Sequence, residues 1–110
     1  MSQRPLQEPT FLILTALAAG PQHGYGIMTD AGEISAGRVR LRAGTLYAAL
    51  DRLTADGLVA QDREEVVCGR LRRYYRLTPG GTAVLAAETE RLRANAAVAA
   101  RRLRLAAGTS

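Results

Sequence analysis

The chain has 110 residues, 47% of them hydrophobic, which allows one modest core and leaves too little for two. Fifteen basic residues, all arginine, against ten acidic ones leave a net charge of +5, a balance that suits a polyanionic partner. The single cysteine excludes an internal disulfide and a multi-cysteine zinc site, and no apolar run reaches the roughly 18 residues of a membrane span.

The opening residues, MSQRPLQEP, have no basic segment joined to an apolar core and a cleavage site. No signal peptide is expected, and the protein is read as cytoplasmic. Residues 9–19, PTFLILTALAA, predict a buried helix of about three turns that Gly20-Pro21 stops. A second helix is expected from His23-Gly24, carrying Tyr25, Ile27, Met28 and Ile34. Its glycines, Gly24, Gly26 and Gly32, each lower helix propensity by about 1 kcal/mol and leave its ends open.

The link over residues 37–42 holds Arg38, Arg40 and Arg42 and leads into a third helix over residues 43–56. Leu46, Ala49, Leu50 and Leu53 fall on one stripe of that helix at i, i+3, i+4, i+7 spacing. The opposite face carries Gly44, Thr45, Ala48, Asp51 and Arg52, with Tyr47 on the flank, and Gly57 ends the element. Small side chains there allow close approach to another surface. Three arginines at a helix start run against the helix dipole, which favours acids there, so a negative partner is expected at that point.

Leu58-Val59 and Val66-Val67 bracket a polar stretch, and residues 71–77 alternate, with Cys68-Gly69-Arg70 as the turn of a two-stranded hairpin. Alternation turns Leu71, Arg73, Tyr75 and Leu77 toward the core and Arg72, Tyr74 and Arg76 outward. Thr78-Pro79 then opens a long helix over residues 79–106. Along it Leu85, Leu92, Ala96, Ala99, Leu103 and Ala106 approximate a heptad stripe, and its alanines admit a partner helix closely.

Three helices, a hairpin and a long helix form the order of a winged helix-turn-helix: mainly α with a small β-hairpin. Residues 1–78 are assigned to the DNA-binding part and residues 79–110 to a dimerisation helix and tail, within one compact unit. In such a fold the third helix enters the major groove and the hairpin wing reaches the backbone. Arg38, Arg40 and Arg42 then lie within reach of phosphates, beside the free amides of the helix start. Thr45, Ala48 and Arg52 face base edges, and an arginine can read guanine with two hydrogen bonds. Tyr47 suits a phosphate or sugar from the flank. On the wing, Arg70, Arg72, Arg73 and Tyr74 are candidates for phosphate or minor-groove contacts, although alternation turns Arg73 inward unless the wing twists.

The competing reading is a winged-helix interaction module that offers the same basic face to an acidic protein. A basic hairpin alone is as often a solvated surface; the arginine-lined helix start, the docking helix and the basic wing together favour DNA. Arg91, Arg93, Arg101, Arg102 and Arg104 read as the solvated face of the last helix. Asp62, Glu64 and Glu65 would repel DNA, so the first wing strand is expected to face away from it. His23 is the sole histidine, and no nucleophile–base pair, paired acids or phosphate loop is visible. No enzyme activity, metal or cofactor is expected. Cys68 reads as a small turn residue rather than a thiol sensor, although Arg70 beside it would favour the thiolate.

The chain resembles the PadR family of bacterial transcriptional regulators. The resemblance rests on four stretches in order: His23-Gly24-Tyr25-Gly26-Ile27; Gly44-Thr45-Leu46-Tyr47-Ala48-Ala49-Leu50 with Arg52-Leu53; Asp56-Gly57-Leu58-Val59; and Arg72-Arg73-Tyr74-Tyr75-Arg76-Leu77-Thr78 followed by Gly80-Gly81. It covers nearly the whole chain and implies a homodimeric repressor on a palindromic operator of double-stranded DNA, acting on its own promoter or a neighbouring gene. It also implies that the last helix is the main dimerisation element and packs near the partner's first helix, where Phe11, Leu12 and Leu14 would help close the dimer. Tyr25 and Tyr47 match family tyrosines that contact DNA. Ala48 stands where the family usually has proline, and Cys68 where it often has an acid or asparagine. The single C-terminal helix places the chain with the short-tailed branch. Some relatives bind aromatic or drug-like inducers between subunits; with no tryptophan and one phenylalanine here, no small-molecule inducer is identified.

Overall fold

The computed structural model describes residues 4–108, so residues 1–3 and 109–110 of the assigned division lie outside it. Its elements are α1 (Glu8–Ala18), β1 (Gln22–His23), α2 (Gly24–Ile34), α3 (Ala43–Ala55), β2 (Val59–Val67), β3 (Arg70–Leu77) and α4 (Pro79–Gly108). This is a winged helix with a long C-terminal helix, as the element order predicts.

The core forms where the apolar stripes of α1, α2 and α3 meet the base of the sheet. Ile13, Leu14, Ile27, Leu46, Leu50 and Val59 are its fully buried large side chains. The expected α3 stripe is intact, with Leu46, Ala49, Leu50 and Leu53 all buried. Fully burying a leucine or isoleucine is worth about 1.5–3 kcal/mol, so this junction dominates the stability of the domain. Leu12 and Leu14, expected at a dimer face, are buried in the subunit's own structure instead. The reason is that the apolar middle of α1, Leu12 to Leu14 with Ala16 and Leu17, packs inside the fold. Phe11 alone of the three remains half-buried.

The sheet has three strands in the order β1-β3-β2, one more than the expected ribbon. The added strand is two residues long and pairs Gln22 with Tyr75 and His23 with Tyr74. The hairpin turn is shorter than expected, because Arg70 already pairs with Val67. Its two residues, Cys68 and Gly69, have φ of 52° and 77°. Positive φ at both positions is what a type I′ turn requires.

A bulge interrupts the hairpin between Gln61 and Glu64. Two β2 residues, Asp62 and Arg63, there stand opposite the single β3 residue Tyr74. Tyr74 and Tyr75 are both buried, at 9% and 8% exposure, on opposite faces of the sheet. Tyr75 joins the main core. Tyr74, expected to project outward, is covered on its own face: the Arg63 guanidinium lies 3.9 Å above its ring and His23 meets it edge-on at 5.4 Å. Its hydroxyl donates to Glu65 Oε1 at 2.9 Å. Leu71, expected to face the core, is 58% exposed, because the tip of the hairpin extends past the helices.

Thr78 caps α4 as expected: its Oγ1 accepts from the Gly81 amide at 3.0 Å and donates to the Gly57 carbonyl at 2.6 Å. The first turns of α4 pack on the body, where Val84 and Leu85 rest against the core. Leu85, expected on a dimer stripe, is therefore already half covered by its own subunit. From Leu92 to Gly108 every residue is exposed. At 1.5 Å per residue this is about 25 Å of helix standing clear of the body.

Candidate nucleic-acid interface

Two shallow grooves flank α3, and most of the residues singled out from the sequence line one or the other. The first, about 470 Å³, lies between the start of α1 and the outward face of α3. Thr45, Ala48 and Arg52 line it on one side and Gln7, Pro9 and Thr10 on the other. The second, about 370 Å³, lies between the wing and the start of α2. Tyr25, Tyr47, Arg70, Arg72 and Arg73 meet there around Cys68. The α3 face between the grooves is open: Gly44, Thr45, Ala48 and Arg52 are all exposed. Tyr25 and Tyr47 are 72% and 44% exposed.

The approach of α3 to α2 depends on Gly24. A Cβ on that residue would lie 2.8 Å from Tyr47 Cζ and closer still to its hydroxyl oxygen, so only glycine lets the phenol lie across the start of α2. His23 caps the same helix end, its Nδ1 accepting from the Gly26 amide at 3.2 Å. Partial burial lowers the His23 pKa from its ordinary value, the Arg72 charge lowers it further, and Glu65 opposes both. The shift favours the neutral ring, in which Nδ1 accepts from Gly26 and Nε2 carries the proton, and His23 lines the second groove. Burial also raises the Tyr75 pKa, with Tyr47 adding to the rise and Arg73 opposing it. Tyr75, which the sequence does not mark as a site residue, belongs to the core cluster that also holds Leu46 and Leu50 of α3.

The arginines divide by what they touch. Among the described residues Arg40, Arg42, Arg52, Arg70 and Arg72 form no ion pair. Arg38 departs from its neighbours, because both carboxylate oxygens of Glu8 accept from it, one at 2.8 Å. Arg73 stays exposed despite the alternation that would turn it inward, and its Nε lies 3.4 Å from Glu64. The three β2 acids are engaged within the wing: Asp62 with Arg63 and Arg76, Glu64 with Arg73, and Glu65 with Arg63 and Tyr74. The hairpin acids are thus largely neutralised locally, which leaves the five unpaired arginines around α3 and the wing to dominate the field.

Sequence reasoning missed Gln7 and Thr10, which the fold brings beside α3 from the start of α1, and Glu8, which pairs with Arg38. An acid at a helix start is ordinary, so nothing local marks them. Among the described residues no cluster of histidine, cysteine or acidic side chains is placed to hold a metal ion. Among the described residues no helix is long and apolar enough to cross a membrane.

Residues 13–87 match the profile of the transcriptional regulator PadR-like family. A curated relative, the transcriptional regulator Rv3488 of Mycobacterium tuberculosis, is 51% identical over 53 residues, covering 48% of this chain and 49% of that protein. The chain thus spans about half of that relative's length. A PadR family transcription regulator of Clostridium difficile superposes with a TM-score of 0.71 at 26% identity, over 88% of this chain and 99% of that one. Bacillus subtilis PadR, solved in complex with operator DNA, shares the fold with a TM-score of 0.64 at 23% identity, over 73% of this chain and 46% of that one. With the family match running from within α1 to the first turns of α4, the chain belongs to the PadR-like family of transcriptional regulators.

Proposed function

We propose that the chain is a sequence-specific regulator that binds double-stranded DNA as a homodimer in the cytoplasm and represses its own or a nearby promoter. The observation that carries this reading is α3. Its exposed face, small and polar, stands between two grooves, and five arginines without acid partners surround it. Thr45, Ala48 and Arg52 read base edges; Arg40, Arg42, Arg70 and Arg72 hold phosphates. Tyr25 and Tyr47 meet the backbone from the second groove, with Arg73 beside them. Tyr74 acts from beneath, by holding Arg63 of the wing and His23 of β1 on its ring. The B. subtilis neighbour, solved with its operator, lends the reading support. No catalytic step is assigned to the protein.

The dimer part of the proposal rests on residues 79–110. Leu92, Ala96, Ala99 and Leu103 form one stripe on the projecting half of α4, and Leu103 is 70% exposed. A second copy covers that stripe, with Phe11 next to Leu92 at its edge. A two-fold dimer presents its two α3 helices to half-sites about one helical turn, roughly 34 Å, apart. Selection of duplexes from a random-sequence pool tests this. A recovered palindrome with half-sites about one turn apart is expected; recovery of no consensus overturns sequence-specific binding.

A further inference from the structure

Of the three arginines that lead into α3, Arg38 alone is matched by an acid. Its guanidinium engages both carboxylate oxygens of Glu8, and the two side chains stay in water at 65% and 45% exposure. Each holds the other's charge in place: the hydrogen bond to Arg38 lowers the Glu8 pKa, and Glu8 raises that of Arg38. Glu8 opens α1, where the helix dipole favours an acid. Its sequence neighbours Gln7 and Pro9 line the groove shared with Thr45, Ala48 and Arg52. Glu8 itself lines a separate cleft with Phe11, Glu88, Arg91 and Leu92, and the pair ties the start of α1 to the arginine link that carries Arg40 and Arg42 into α3. An exposed ion pair adds little to fold stability, so a structural role does not explain its position.

We propose that Glu8 is an internal stand-in for a DNA phosphate, holding Arg38 out of the set of cations that neutralise the backbone. The two oxygens of a carboxylate occupy the arginine fork as two phosphate oxygens would. A phosphate that takes Arg38 must displace Glu8 and leave its negative charge exposed beside the duplex. Affinity for DNA of arbitrary sequence, which depends on the number of phosphates neutralised, is thereby held down, while base reading by α3 is untouched. Glu8 is a positioning residue that acts through Arg38. The inference rests on the DNA-binding reading and deepens it by naming what limits non-specific affinity.

The test is a double-mutant cycle on a random-sequence duplex, with binding constants measured from about 50 to about 200 mM salt. The proteins are wild type, Glu8→Gln, Arg38→Gln and the double variant, each checked by thermal melting. With Arg38 intact, Glu8→Gln is expected to steepen the log–log salt slope by about 0.9 per subunit, so that for one subunit its advantage over wild type shrinks about 3.5-fold across that range. In the Arg38→Gln background the same change leaves the slope where it was. Melting temperatures are expected to stay nearly level. The proposal is overturned if Glu8→Gln leaves the slope unchanged with Arg38 present, or steepens it equally in both backgrounds. If none of the four proteins binds duplex DNA in a salt-dependent way, the DNA-binding reading itself fails, and this inference with it.

Discussion

Tyr47 of α3 lies across Gly24 of α2, in the space that any side chain on Gly24 would fill. This contact sets how closely α3 approaches the start of α2 and turns the phenol toward the groove that also holds Arg72. Gly24→Ala is therefore expected to push the half-exposed Tyr47 phenol aside, at a cost of about 1 kcal/mol in denaturant unfolding. Tyr47→Phe, which keeps the ring, is expected to stay near wild-type stability. Equal stability of wild type and Gly24→Ala would show that the contact is not required.

The wing turn carries a strained position. Cys68 has a φ of 52°, which favours asparagine or glycine over other residues. Cys68→Asn is expected to stabilise the protein by about 0.5–1 kcal/mol. Chemical denaturation checks this, and a fall in stability would mean that the thiol makes a contact worth more than the strain.

Much of the fold is legible in the sequence, and the failures have local causes. The α3 stripe of Leu46, Ala49, Leu50 and Leu53 is readable because a 3.6-residue period and a buried face coincide. The Thr78-Pro79 start of α4 is readable because capping chemistry is local. Alternation puts Tyr74 on the right face, but the side chains that cover it there, Arg63 and His23, come from other strands, so its burial is not readable. Leu71 is misplaced for a separate reason: alternation says nothing about how far a hairpin extends past its core. A strand of two residues, Gln22-His23, has no period at all and exists through its distant partner β3. The arginines of the site are plain in the sequence, but which of them are free is not. Arg38 is taken by an acid thirty residues away, a pairing that only the folded chain reveals.

His23 makes stability depend on pH. Its pKa in the folded protein lies below the ordinary 6.5, so beneath that pH the unfolded chain binds more protons than the folded one. The His23 contribution is present in full above 6.5 and is lost as pH falls from there toward the folded value. Glu88, which is buried, also has a lowered value, first through Arg91; its contribution persists above 4.5 and disappears at lower pH. His23→Asn keeps a helix-capping oxygen and removes the titration. Melting temperature against pH should lose its slope just below 6.5 in this variant and keep the loss below 4.5. An unchanged profile would place the effect on another group.

The projecting half of α4 supplies a test of assembly. Ala99 lies mid-way along the exposed stripe and leaves room for a helix of a second copy. Ala99→Glu is expected to raise the dimer dissociation constant about tenfold or more, read by sedimentation. The thermal stability of the monomer body, whose core ends before Leu92, should change little. An unchanged dimer would place the interface elsewhere.

The most direct test of the central claim compares wild type, Arg42→Ala and Arg52→Ala by fluorescence anisotropy on the protein's own promoter duplex and on a random duplex. Arg42 is assigned to phosphate and Arg52 to a base edge. Arg42→Ala should weaken both complexes alike and reduce the salt slope by about 0.9 per subunit. Arg52→Ala should cost about 1–3 kcal/mol on the promoter and little on random DNA. Equal losses on both duplexes for both variants, or a wild type that does not distinguish the duplexes at any salt concentration, would contradict the account.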